Sequence, residues 1–140
     1  MRLLVDTNVF LDLFFDREQY GEIAQSFFDT CVKKKNQIYV TSMSLRDIGY
    51  TAHKYSHSKE VAKAAQIATY EACSKVIDIS ADSAITSLYS DVDDYEDSLI
   101  IEAAKESMVD AIVTNNKKDF KLSEVPVFSP REIVEYLNNN

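Results

Sequence analysis

Glycine is almost missing from this 140-residue chain; only Gly21 and Gly49 occur, and neither stands in a GxGxxG or GxxxxGKS/T context. The common nucleotide-cradling loops, which need glycines so that backbone N–H groups can approach phosphate, are therefore excluded. With two prolines as well, the chain has few flexible linkers, and no internal repeat or biased segment stands out beyond Asn138, Asn139 and Asn140 at its end. Cys31 and Cys73 are too few and too isolated for a disulfide framework or a CxxC metal site, so two reduced, partly buried thiols are expected. No run approaches the roughly 20 apolar residues of a membrane span. The opening MRLLVDTNVF carries its Asp too early for a signal peptide, so a soluble, cytoplasmic protein with no membrane role is expected. Basic residues are also scarce, 15 against 23 acidic ones, for a net charge of −8. That balance argues at first against a nucleic-acid partner, because phosphate is usually bound by Lys and Arg. Acids gathered around metal ions would reverse the local field. Lys33, Lys34 and Lys35 read as a solvated helix end or a small basic patch.

What is present is enough apolar material, 46% of residues, to fill one core, and residues 1–140 are expected to form one domain. Short apolar or β-branched runs recur at Arg2 to Val5, Gln37 to Val40, Lys75 to Ile79, Ala111 to Thr114 and Pro126 to Phe128. Each has strand length. Between them the apolar spacing turns helical, as in Ile23, Phe27, Phe28, Cys31 and in Leu99, Ile100, Ala103, Ala104. Strands alternating with helices imply crossover connections and a mainly parallel sheet covered on both faces. Ser42 to Ser74 is long for one crossover and predicts two helices broken near Tyr55 to Ser58. The tail from Ser129, with Pro130 at the first helical position, predicts a closing helix.

A sheet of this type binds ligands at the carboxyl ends of its strands, near the point where strand order reverses. Asp6 follows the first strand directly, and Asp47 lies early in the helix leaving the second. Asp97 lies in the first turn of the helix that delivers the fourth strand, and Asn116 and Asp119 follow that strand. Four carboxylates from four separate segments are thus expected at one rim. Like charges this close raise one another's pKa, so a shared acidic site should hold cations or a proton. Oxygen-only ligands favour Mg2+ or Mn2+, which lower the pKa of bound water and offset charge developing on phosphate. Each acid also has a plainer reading: Asp6 as a helix cap, Asp47 as an exposed helix residue, Asp119 as a turn residue. Asp94-Tyr-Glu-Asp97 has capping-box spacing, with Asp94 the expected cap. Only the convergence raises these residues above those readings.

His53 and His57, spaced i and i+4, have a zinc spacing, but no third ligand is apparent nearby and a surface location is the plainer reading. Tyr50, Tyr55, Tyr89 and Tyr95 suit either base stacking or packing in the core or at a subunit interface.

Five segments together, LLVDTNVFLDLF, TSMSLRDIGY, DYEDSLIIEAAKES, DAIVTNNKKDF and PVFSPREIVEYL, resemble the PIN domain, in particular the bacterial VapC-like toxins and their relatives. The likeness runs in the family's order over nearly the whole chain, with only about Lys54 to Val76 unspecific. It implies a three-layer α/β/α sandwich on a five-stranded, mainly parallel sheet. It also implies a ribonuclease acting on single-stranded or structured RNA through Mg2+ or Mn2+, a homodimer, and an inhibitory antitoxin partner. By motif, Asp6 matches the first acid, Asp97 the third, and Asp47 a position that is usually Glu. At the fourth, where many relatives have Asp, Asn116 stands, and the nearest acid is Asp119. A neutral Asn removes one negative charge there, so weak metal binding or low activity is one expectation, and a PIN-like module that binds RNA or protein without cutting is the alternative function. Thr7, Asn8 and Thr114 match polar positions that hold the carboxylates and the attacking water.

Two other doubly wound enzymes fit less well. A phosphoacceptor receiver needs adjacent acids after its first strand, an Asp after its third and a Lys after its fifth. Here Thr7, Ser80-Ala81 and Ser129-Pro130 stand in those places. A phosphatase of the haloacid dehalogenase type needs a second acid two residues after Asp6, where Asn8 stands.

Overall fold

In the computed structural model, which describes residues 1–140, the first apolar run forms strand β1 (Arg2–Val5) at the centre of the sheet. β2 (Gln37–Thr41) and β3 (Lys75–Ile77) lie to one side of it, β4 (Ala111–Val113) and β5 (Val127–Phe128) to the other. All four pairings are parallel, with Leu4 opposite both Tyr39 and Ile112. The chain thus winds outward from β1 in one direction, returns, and winds outward in the other. The reversal falls between β1 and β4, which is where such sheets open a crevice.

Seven helices cover the two faces: α1 (Thr7–Phe15), α2 (Gly21–Lys33), α3 (Ser42–Ser56), α4 (Lys59–Ala72), α5 (Ala81–Leu88), α6 (Tyr95–Glu106) and α7 (Pro130–Asn138). Because side chains alternate along a strand, Leu3 and Val5 enter one core while Leu4 enters the other. The larger core joins Leu3, Val5 and Val40 to Phe10, Phe27, Ile48, Ala65 and Ile133, so α1, α2, α3, α4 and α7 share that face. The opposite core sets Leu4, Ile77 and Ile112 against Ile100, Ile101, Ala103 and Ala104 of α6, with α5 packed on α6. This is a three-layer α/β/α sandwich. The expected break in the second crossover falls at His57, in the left-handed region (φ 56°), followed by Ser58, which caps α4. α7 begins with a full capping box between Ser129 and Glu132. Three strands are shorter than their apolar runs: β4 stops at Val113, one residue before Thr114, while the edge strands β3 and β5 stop at Ile77 and keep two residues respectively. Edge strands need fewer partners than central ones, and Ile79 still packs on the α6 core from outside the sheet. No helix is long and apolar enough to cross a membrane.

Candidate active site

The backbone ladder ends by placing two polar side chains next to each other at the reversal point. The Asp6 N–H donates to the Val113 carbonyl (2.9 Å) and the Thr114 N–H to the Phe128 carbonyl (3.0 Å), which extends the ladder by one residue on both strands. The Thr114 hydroxyl then donates to Asp6 Oδ2 (2.8 Å), and the Thr7 N–H to Asp6 Oδ1 (2.8 Å). Asp6 is therefore the N-cap of α1 and also a buried carboxylate, 6% exposed. Burial pushes its pKa up to about 6, with the charges of Glu96 and Asp119 adding to the rise and the bonds from Thr114 and Thr7 opposing it.

Asp97 arrives from the first turn of α6. Asp94 caps that helix, its Oδ1 accepting from the N–H groups of Glu96 (2.8 Å) and Asp97 (3.3 Å). The Asp97 carboxylate does not return to the Asp94 N–H, so the capping box that its spacing allows is not formed. It accepts no hydrogen bond from the chain. Burial first, then the charges of Asp94, Asp6, Asp119 and Glu96, push its pKa up to about 7. Asp47, in the second turn of α3, shares a cavity of about 450 Å3 with Asp6, Asp97, Glu96 and Asn116. Its Oδ1 accepts from Arg46 (3.0 Å). Asp119 lies in the 3-10 turn Lys117–Phe120 and lines a neighbouring cavity with Asp91, Asp94 and Asp97. Its charge still reaches Asp6 and Asp97. Asn116 thus faces the acid cavity, while Asp119 faces the next one.

The other polar residues singled out in the sequence hold elements together. The Thr7 hydroxyl donates to Ser44 (2.9 Å), and so does that of Thr41 (3.0 Å), which ties the start of α1 to the start of α3. Only its backbone N–H reaches Asp6. Asn8 Oδ1 accepts from the Asn115 N–H (3.4 Å) and so fixes the loop after β4. His53 and His57 are at the far end of α3, where the left-handed turn at His57 ends the helix, and neither lines the acid cavity. Lys33, Lys34 and Lys35 are exposed at the end of α2 and do not line it either. The cations that do are Arg17 and Arg46.

Four nearby residues had no role assigned from the sequence. Glu96, whose pKa is raised by burial and by Asp47 and Asp94, had a signal in the run DYED, but one shared with ordinary helix starts. Asp12, buried at 3% exposure, bonds Arg17 (3.2 Å) and the side-chain amide of Asn115. Ser44 and Asn115 have no sequence signal at all, since their partners are brought in by the fold.

No three acidic, histidine or cysteine side chains stand close enough to enclose an ion by themselves. The donor chemistry nevertheless fits a hard cation: every acid offers oxygen, Asp97 is free of competing hydrogen bonds, and the carboxyls of Asp6, Glu96 and Asp97 are raised by burial and like charge. Mg2+ keeps several waters and takes one or two carboxylates, so it suits an open set of this kind. Thr114→Val should leave Asp6 Oδ2 buried without its donor. The expected cost is about 1–3 kcal/mol of stability at pH 8, together with a further rise in the Asp6 pKa, read by denaturant unfolding and NMR titration. A variant as stable as the parent at pH 8 would show that the hydroxyl does not hold the carboxylate.

The family profile of the PIN domain matches residues 2–118, and the chain belongs to that family. Among solved structures it is similar to VapBC2 from Rickettsia felis bound to a DNA fragment from their promoter, at 19% identity and TM-score 0.68, covering 92% of this chain and 98% of that one. It is also similar to a toxin-antitoxin complex from Klebsiella pneumoniae, at 22% identity and TM-score 0.65, covering 91% and 97%. A third similar structure is VapC20 of Mycobacterium tuberculosis, described as a sarcin-ricin loop cleaving toxin, at 13% identity and TM-score 0.64, covering 79% and 86%. No curated protein sequence matches the chain.

Proposed function

We propose that residues 1–140 work as one metal-dependent endoribonuclease that hydrolyses single-stranded or structured RNA, as the toxin half of a toxin–antitoxin pair in the cytoplasm. The observation that carries this reading is the meeting of Asp6, Asp47, Glu96 and Asp97 on one cavity at the reversal point of the sheet. PIN domains are generally nucleases, and two of the similar structures, a sarcin-ricin loop cleaving toxin and a toxin–antitoxin complex, support the same reading. Asp6 and Asp97 would hold the Mg2+ or Mn2+, with Asp47 alongside. Once bound, such an ion supplies an activated water and offsets the charge that builds on the phosphate. Asp6, gripped by Thr7 and Thr114, keeps a fixed orientation. Asp97 is left free to turn toward its ligand. Arg17 and Arg46 offer the incoming phosphodiester the positive charge that the chain as a whole lacks. An antitoxin would act by covering this cavity, and a homodimer is the expected assembly.

The test is incubation of the purified chain with a panel of single-stranded RNAs, with Mg2+ or Mn2+ and with chelator. Cleavage that needs metal supports the reading. The competing reading, a weak or inactive module that binds RNA or protein, is favoured by the grip of Arg46 on Asp47 and by the neutral Asn116. Asn116 also sets up a direct check on the site. Because it faces the acid cavity, Asn116→Asp should tighten Mg2+ binding roughly tenfold by adding charge to the donor set. Asp119→Ala should cost less activity than Asp6→Ala. Isothermal titration showing no tightening, with Asp119→Ala as damaging as Asp6→Ala, would move the fourth position to Asp119.

A further inference from the structure

Next to the acid cavity lies a second one, of about 440 Å3, and the two share Asn8, Arg17 and Asn116, so a strand of substrate can pass from one to the other. The second cavity adds Tyr20, Tyr55 and the buried Asp12. We infer that it is a subsite for one unpaired nucleotide flanking the scissile phosphate, with the base stacked on the tyrosine wall and its phosphate on Arg17. The inference rests on the ribonuclease reading above and deepens it.

Three observations carry it. Tyr55 is 56% exposed at the end of α3, yet its ring is stacked on Phe15 at 5.5 Å and 14°, and Phe15 packs on the larger core. A largely exposed aromatic ring on a rigid backing suits stacking of an unpaired base, and every base has a π-face to offer. Tyr20, 40% exposed, lines the same cavity. Second, Arg17 is its sole cation and is held in place: its Nε is 3.2 Å from Asp12, a carboxylate 3% exposed, and its guanidinium carbon is 6.0 Å from the Tyr55 ring centre. Its fork has five N–H donors, more than those contacts use, and is therefore suited to a phosphate. Third, the backbone bearing it is fixed in an unusual form. Beyond Asp16 (φ 47°), whose left-handed turn ends α1, Glu18 and Gln19 also have positive φ, at 50° and 66°, a conformation uncommon for non-glycine residues. The volume also lies within the roughly 300–1,000 Å3 range of ligand sites.

The experiment uses the full chain with fluorescein-labelled oligoadenylate and oligouridylate, followed by anisotropy in chelator so that nothing is cut, and in parallel by cleavage in Mg2+. Tyr55→Ala should weaken oligonucleotide binding roughly tenfold, the usual size of one lost base stack, while Tyr55→Phe stays within about twofold of the parent. Tyr89→Ala, at the exposed end of α5 and lining neither cavity, should bind as the parent does. Oligomers with a single abasic position should show one position, beside the cleavage point, at which the parent loses affinity and Tyr55→Ala does not. If the parent cleaves RNA and Tyr55→Ala binds and cleaves it equally well, the subsite is overturned and the nuclease reading stands. If the parent neither binds nor cleaves any RNA, both fall. A Tyr55→Ala chain that keeps its RNA affinity but loses a protein partner overturns the subsite in favour of a protein-binding face.

Discussion

Asp6→Ala and Asp97→Ala should each lower RNA cleavage by about a thousandfold or more, and chelator should do the same to the parent chain. The size follows from the chemistry assigned to the pair. A bound divalent ion contributes several kcal/mol to the transition state by activating water and offsetting phosphate charge, and each 1.36 kcal/mol is a factor of ten in rate. Nothing else near the cavity can replace it. His53 and His57 line neither the acid cavity nor the one beside it, so His53→Ala and His57→Ala should retain nearly full activity. Both thiols are pushed up to about 12 by burial, so Cys31 and Cys73 stay protonated at neutral pH and offer no nucleophile. Gel-based cleavage with the four variants decides the matter. Chelator-resistant cutting by pure protein, or equal loss from the histidine variants, would overturn the assignment.

In chelator, the folded chain should lose stability as the pH rises from about 4 to 7, and Mg2+ or Mn2+ should remove most of that loss. The pKa of Asp6 is raised to about 6 and that of Asp97 to about 7 in the fold, both above the unfolded value near 4. Across that window the folded state holds more protons than the unfolded one, so the free energy of unfolding falls with rising pH. For buried Asp6 the loss is on the order of 3 kcal/mol. Asp97 is only partly buried and solvent screens its share, so it adds to the slope without a comparable energy. Metal that binds only the folded state restores stability by about 2.7 kcal/mol at a hundredfold excess over Kd. Asp97→Asn removes one charge from the cluster and leaves the helix cap intact, because Asp94 supplies it. The variant should therefore melt higher than the parent in chelator at pH 8, with a flatter pH dependence and a smaller response to metal. If Asp97 served only the helix start, the variant would melt lower in chelator and respond to metal as the parent does. Thermal melts of both chains across pH would separate the two patterns.

Much of the architecture could be read along the chain because it depends on local pattern. Apolar runs of strand length alternate with helical spacing, and Ser58, Ser80, Ser129 and Asp94 each start a helix by accepting from its first N–H groups. Asp6 stood out because it directly follows a strand, which is a matter of counting, whereas Thr114, read as the last residue of its strand, was marked by the likeness of its motif to the family's. Glu96 was harder to see. It neighbours the Asp94 cap and Asp97 in a run whose spacing is equally that of a helix start, and only its placement beside Asp47 in the fold separates it from an ordinary first-turn acid.

What the sequence alone determined is the class of fold and the family, since hydrophobic period, caps and motif order are written within short windows and survive any arrangement of the elements. Tertiary structure alone decided which polar groups meet. The order β3-β2-β1-β4-β5 puts the reversal between β1 and β4, and this brings Asp6 to Thr114, Thr7 to Ser44 and Asp12 to Asn115 across separations of 37 to 108 residues. It also turned Asn116 toward the acid cavity and Asp119 toward the next, because the intervening 3-10 turn carries them in different directions. Contacts of this kind depend on strand order and on the angles at which helices cross the sheet, and those are set by how the two cores fill, a property of the whole chain that no window of it contains.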